Sequence, residues 1–108
     1  MKPIVTKFNA EKAGTYQNGN LCAFDLVPEG MDSDLVFHWV KVSPNAATAP
    51  EVNNTDKTFL FFEGECAIEM DENQVLVKKG DVLWLPKGSV HTIKNTSIEL
   101  QFVVVKKK

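Results

Sequence analysis

The sequence predicts an all-β protein, an antiparallel barrel of the jelly-roll type, and three observations predict it. Apolar residues alternate with a period of two through most of the chain, the signature of half-buried strands. The alternating runs are short and separated by clusters of Gly, Pro, Asn and Asp, the spacing of a sandwich or barrel. No window carries the apolar stripe of an amphipathic helix.

Taken in order, "LCAFDLV" from Leu21 is the first alternating run, closed by the turn signal Pro28-Glu29-Gly30. In "LVFHWVKV" from Leu35, His38 shares a face with Val40 and Val42, while Phe37, Trp39 and Lys41 take the other; the valine face is predicted to point inward. Ser43-Pro44-Asn45 ends that strand, and residues 43–56 form the longest stretch without strand character. "TFLFF" follows, with Phe59 and Phe61 on the inward side beside Lys57, and Leu60 and Phe62 outside. "CAIEM", the acidic turn Asp71-Glu72-Asn73 and "VLV" come next. After Lys79-Gly80-Asp81, "VLWL" is predicted to turn Val82 and Trp84 inward. Pro86-Lys87-Gly88 makes a corner that starts the strand bearing His91, and "LQFVVV" is the last strand. The terminal "KKK" reads as a frayed, solvated tail. One domain spans residues 1–108, its barrel at about 36–105, with strands from the first 35 residues packed onto it.

Bulk properties narrow the function. With 108 residues and 44% hydrophobic content, the chain can bury a core without disulfide staples. All 12 basic residues are lysine and the formal net charge is -2, so no guanidinium reads base edges and no broad positive field attracts a polyanion. Nucleic acid is excluded as an expected partner. No apolar run reaches signal-peptide or membrane-span length, so neither export nor a membrane is expected. Cys22 and Cys66, far apart and in alternating runs, read as reduced thiols of a cytoplasmic protein.

"GDVLWLPKGSVHTIKN" carries the most specific signal. Gly80 permits a positive-φ turn, Pro86 stops a strand, and Gly88 lets the chain double back, so His91 is presented from a rigid corner. Gly80, Pro86, Gly88, His91 and Asn95 match, at every spacing, the second signature motif of the cupins, and "FFEGECAIEM" with "VKKGD" resembles the stretch between the two cupin motifs. The resemblance covers residues 36 to 105 and implies a cupin barrel with His91 aimed into it.

In metal-bearing cupins the equivalent histidine is one of four ligands, and a first motif supplies two histidines and a glutamate. Counting back from Gly64, the glutamate position falls on Lys57 and the histidine positions on Glu51 and Asn53. The resemblance therefore implies a degenerate metal site. An ammonium at ~4 Å from another unit positive charge repels it by about 4 kcal/mol at an effective dielectric of 20, and a divalent ion by twice that. Metal and a charged Lys57 exclude one another. Glu51 and Asn53 can instead accept hydrogen bonds from Lys57, giving a polar, metal-free cluster with His91, lined by Phe59, Phe61 and Trp84. Because no histidine fixes the loop's register, Asn54 or Asp56 is an alternative to Asn53.

The function expected is binding or sensing of a carbohydrate or small organic acid, with no cofactor. The alternative is an enzyme: a metal-free isomerase, epimerase or lyase using His91 or Lys57, or a dioxygenase-like metal cupin in which His38, Glu51 and His91 hold iron. Cupins commonly dimerise, and the apolar outer residues Phe37, Trp39, Leu60 and Phe62 predict a homodimer.

Overall fold

The computed structural model describes residues 3–27, 31 and 33–108. The predicted turn Pro28-Glu29-Gly30 lies outside the described residues. Ten strands form among the described residues: β1 (Gly14–Tyr16), β2 (Leu21–Asp25), β3 (Leu35–Val42), β4 (Glu51–Val52), β5 (Lys57–Glu63), β6 (Glu65–Met70), β7 (Asn73–Lys78), β8 (Val82–Leu85), β9 (Val90–Asn95) and β10 (Leu100–Lys107). The only helical pieces among the described residues are short 3-10 turns at Ala10–Lys12 and Gln17–Gly19. No helix among them is long and apolar enough to cross a membrane.

A six-stranded sheet in the order β1-β2-β3-β10-β5-β8 faces a four-stranded sheet in the order β4-β9-β6-β7, and all pairings are antiparallel. From β3 onward every connection except the β6–β7 hairpin crosses from one sheet to the other, the winding of a jelly roll. Each crossing needs a sharp corner. At Gly64, between β5 and β6, φ is +83° and a Cβ would lie 1.8 Å from the Glu99 carbonyl oxygen, so only glycine lets the two crossings pass. Asn95 closes another corner: its Nδ2 donates to the carbonyls of Val42 and Ser43, at 3.1 and 2.9 Å, and its Oδ1 accepts from the Ser97 amide. That is the structural reason for an asparagine at the end of β9.

Between the sheets, Val42, Phe61, Ile68, Leu85 and Leu100 are fully enclosed. Phe59, Phe61 and Phe102 form an aromatic triangle with centroid separations of 5.3 to 6.2 Å. Cys66 is buried in this core and burial pushes its thiol up to about 12; both cysteines are unpaired.

Three expectations need correction. Val82 and Trp84 face outward, 64% and 58% exposed, and Leu83 and Leu85 face inward. All four residues of "VLWL" are apolar, so hydrophobicity could not choose the face; the pairing of Leu83 with Phe59 and Leu85 with Lys57 chooses it. Trp39 is only 5% exposed, because Phe8 from the N-terminal segment packs on it at 4.9 Å and its Nε1 donates to Gln101. It is not surplus apolar surface. The terminal lysines do not all fray: β10 runs through Lys107, and Lys106 pairs with both Val36 and Lys57.

A candidate ligand cavity

The stretch 43–56 is less irregular than its sequence implies. It runs beside β9, with the Thr48 amide bonded to the Ile93 carbonyl, the Asn95 amide to the Ala46 carbonyl, and β4 paired so that Glu51 lies opposite His91. Residues directly opposite in an antiparallel pair share a face. Glu51 and His91 therefore stand side by side on the inner face of the four-stranded sheet.

Lys57 comes from the other sheet. It is the first residue of β5, inward with Phe59 and Phe61, and only 6% exposed. Its Nζ reaches across to donate to Glu51 Oε1. Burial raises the Glu51 carboxyl, but the hydrogen bond and charge of Lys57, aided by His91 and Lys106, outweigh it and hold the group below its usual value.

His91 is 4% exposed, its ring edge-on to Phe59 at 5.8 Å, and its Nδ1 is buried without a hydrogen-bond partner. Burial lowers its pKa, the Glu51 charge opposes that, and Lys57 adds to it. The net direction favours the neutral imidazole. His38, on β3 between Asp25 and Val104 in register, also has its pKa lowered, first by burial, against the opposing charge of Asp25.

These groups open on one cavity of about 460 Å³ between the sheets. Glu51, Lys57, Phe59, His91 and His38 all line it. So do Val40, Ile93, Phe102 and Val104, which make much of its wall apolar, and Tyr16 and Gln17. Gln17 and Asn18 hold positive φ, 53° and 58°, and Gln17 Oε1 accepts from the Ala49 amide at 2.7 Å, tying the β1–β2 turn to the 43–50 segment. Non-glycine residues in that region carry local strain.

Asn53, its alternative Asp56, Phe61 and Trp84, all proposed from the sequence, do not line the cavity. Asn53 is 1% exposed but buckles the corner after β8: its amide donates to the Ser89 carbonyl, its carbonyl accepts from Gly88, and Nδ2 donates to Ser89 Oγ at 2.8 Å. Asp56 braces the same corner through the Lys87 amide. Phe61 lies in the core, stacked on Phe59. Trp84 is on the outer face. Conversely, Asp25, Thr48, Phe102 and Lys106 line the cavity and were not singled out in the sequence. Lys106 was legible by parity, since Leu100, Phe102, Val104 and Lys106 alternate on one face of β10.

The donors do not suit the four-ligand metal centre that the resemblance to metal-bearing cupins implies. A divalent transition metal takes three or four protein donors. Here one imidazole and one carboxylate are adjacent, and the carboxylate already binds the Lys57 ammonium. No group of three or more His, Cys, Asp or Glu side chains among the described residues could hold an ion. His38 shares the cavity with Glu51 and His91 but does not complete a triad with them.

Comparisons with known proteins agree with this architecture. The chain superposes on a cupin 2 conserved barrel domain protein from Salinispora arenicola with a TM-score of 0.86 and 19% identity, over 100% of this chain and 91% of that one. It superposes on the plu4264 protein of Photorhabdus luminescens with a TM-score of 0.85 and 21% identity, over 99% and 89% of the two chains. A protein described as a predicted oxalate decarboxylase from Thermotoga maritima gives 0.80 and 20%, over 94% and 98%. No curated protein sequence matches the chain. The cupin-domain family model matches residues 38–106, from the cavity histidine of β3 to the cavity lysine of β10, and with well over half its length so matched the chain belongs to the cupin family.

Proposed function

We propose that this cupin binds a small organic ligand, a carbohydrate or small organic acid, in a cavity that works without a metal. The ion pair of Lys57 with Glu51 at the cavity carries the reading: Lys57 is buried, the Glu51 side chain is 56% exposed, and by the count from Gly64 the ammonium takes the position where the cupin resemblance implies a glutamate ligand. Apolar walls with a few convergent polar groups are the usual make-up of a small-molecule site. A thermal-shift panel of divalent metals, sugars and short-chain acids, with elemental analysis of the purified protein, tests it. The expected result is stabilisation by an organic compound and no stoichiometric metal. About one iron, nickel, zinc or manganese per chain, lost on His91→Ala, overturns it.

A second reading, an enzyme, is favoured by one observation. Two histidines with lowered pKa line one cavity, and a neutral imidazole is the form that accepts a proton as a general base. His91, beside Lys57, is the base of a metal-free isomerase, epimerase or lyase on this reading. Proton exchange into a bound ligand, lost on His91→Gln, distinguishes it from simple binding.

The same proposal places the protein in the reducing cytoplasm, supported by two unpaired cysteines, and makes it a homodimer, supported by apolar surface on β5 and β8.

A further inference from the structure

Lys106 and Lys57 occupy directly opposite positions on β10 and β5, and both line the cavity. Like charges directly opposite one another in a sheet repel and destabilise it, so two inward lysines here have an unfavourable arrangement unless anions answer both. Glu51 answers Lys57. Among the described residues no carboxylate lies within ion-pairing distance of Lys106. Asp25 lines the same cavity, but it stands opposite His38 and its Oδ1 accepts from the Val27 amide at 2.9 Å. A second feature points the same way: His91, 4% exposed, lines this cavity with Nδ1 unpartnered. The cavity thus holds one ammonium more than the adjacent carboxylate satisfies, together with an unsatisfied imidazole.

We propose that Lys106 and Lys57 form an anion subsite that holds the carboxylate of a small organic acid, with the acid's carbon body against Phe59, Phe102 and Val104. This rests on the ligand-cavity reading above and selects the acid over the neutral sugar. A carboxylate oxygen accepts a charge-assisted hydrogen bond from each ammonium, stronger than the neutral bonds a hydroxyl would make. Along β5 and β10 the lysine pair is followed by Phe59, Phe102 and Val104, side chains with no charge to pair a second carboxylate, so the ligand is a monocarboxylate.

Proton NMR tests this directly, because the chain has only two histidines and both line the cavity. Their imidazole signals are followed while pyruvate, butyrate and D-glucuronate are added, with butyramide and D-glucose as neutral counterparts. At least one acid is expected to move the signals and bind about tenfold more tightly than the neutral compounds, and Lys106→Gln is expected to remove that advantage. Lys107→Gln, one position along on the outer face, makes the same change in net charge and is expected to leave acid binding intact. Acids that bind no better than butyramide or D-glucose, or an advantage that survives Lys106→Gln, overturn the subsite. If D-glucose binds and the acids do not, the subsite fails while the ligand cavity stands; if none of the five binds, both fail.

Discussion

Lys57 changes what His91 can do. Without the lysine, the imidazole and Glu51 would be two donors awaiting a cation; with it, the carboxylate is occupied and a positive charge bears on both histidines. Changing Lys57 to Glu removes that charge and puts a second carboxylate beside Glu51 and His91. Isothermal titration with zinc or manganese is expected to show binding in this variant and none in the parent; equal affinity in the two would refute the exclusion argument. The lowered pKa of His91 also has a stability consequence. The unfolded chain takes up a proton near the ordinary value of 6.5, and the folded chain resists until lower pH. The stabilisation is therefore complete above that value and is lost as pH falls through the folded value. Urea midpoints measured between about pH 5 and 8 should decline on the acid side, and less steeply in His91→Gln, with His38 supplying the remainder. An unchanged slope in the variant would remove His91 from the account.

At the level of elements, strand parity is readable where one residue of the strand is tied to a motif. On β5 both faces carry apolar residues, Phe59 and Phe61 on one and Leu60 and Phe62 on the other, and the count from Gly64 to Lys57 selects the face that is buried. On β8 all four residues are apolar, and Trp84 lies on the outer face, opposite to the expectation. His91, reached from the second-motif spacing, and Lys57 and Glu51, reached by counting back from Gly64, all line the cavity, because strands fix distances along the chain. The count misassigned Asn53 because β4 ends at Val52 and the chain turns to the corner, where backbone bonds to Gly88 and Ser89 replace sheet pairing. That corner and the one at Gly64 can be ranked. Gly64→Ala must push against the Glu99 carbonyl as well as adopt positive φ, whereas Gly88 has φ +90° with nothing within 4 Å of a Cβ. Chemical denaturation is expected to show a loss of about 2 kcal/mol or more for Gly64→Ala and about 1 kcal/mol for Gly88→Ala. The reverse order would mean that the close approach at Gly64 does not constrain the barrel.

For the whole molecule, the outer face of the six-stranded sheet divides into a covered half and an open half. Phe8 lies over Trp39 and Phe24 on the β2–β3 side. On the far side Leu60, Phe62, Val82 and Trp84 are 46%, 38%, 64% and 58% exposed, and Leu60 stands opposite Val82 in register, so the apolar surface is continuous across β5 and the edge strand β8. Contiguous apolar surface at a sheet edge favours association, because burial gains the hydrophobic term and protects an unpaired strand. A two-fold dimer through this patch is the closed solution. Light scattering at tens of micromolar is expected to give twice the chain mass, and Trp84→Glu, which places a charge at the exposed position and leaves the inward Leu83 and Leu85 untouched, is expected to give the monomer with the cavity still able to bind. A monomer in the parent protein would leave the patch without its partner copy, and a dimer that survives Trp84→Glu would move the interface elsewhere on the barrel.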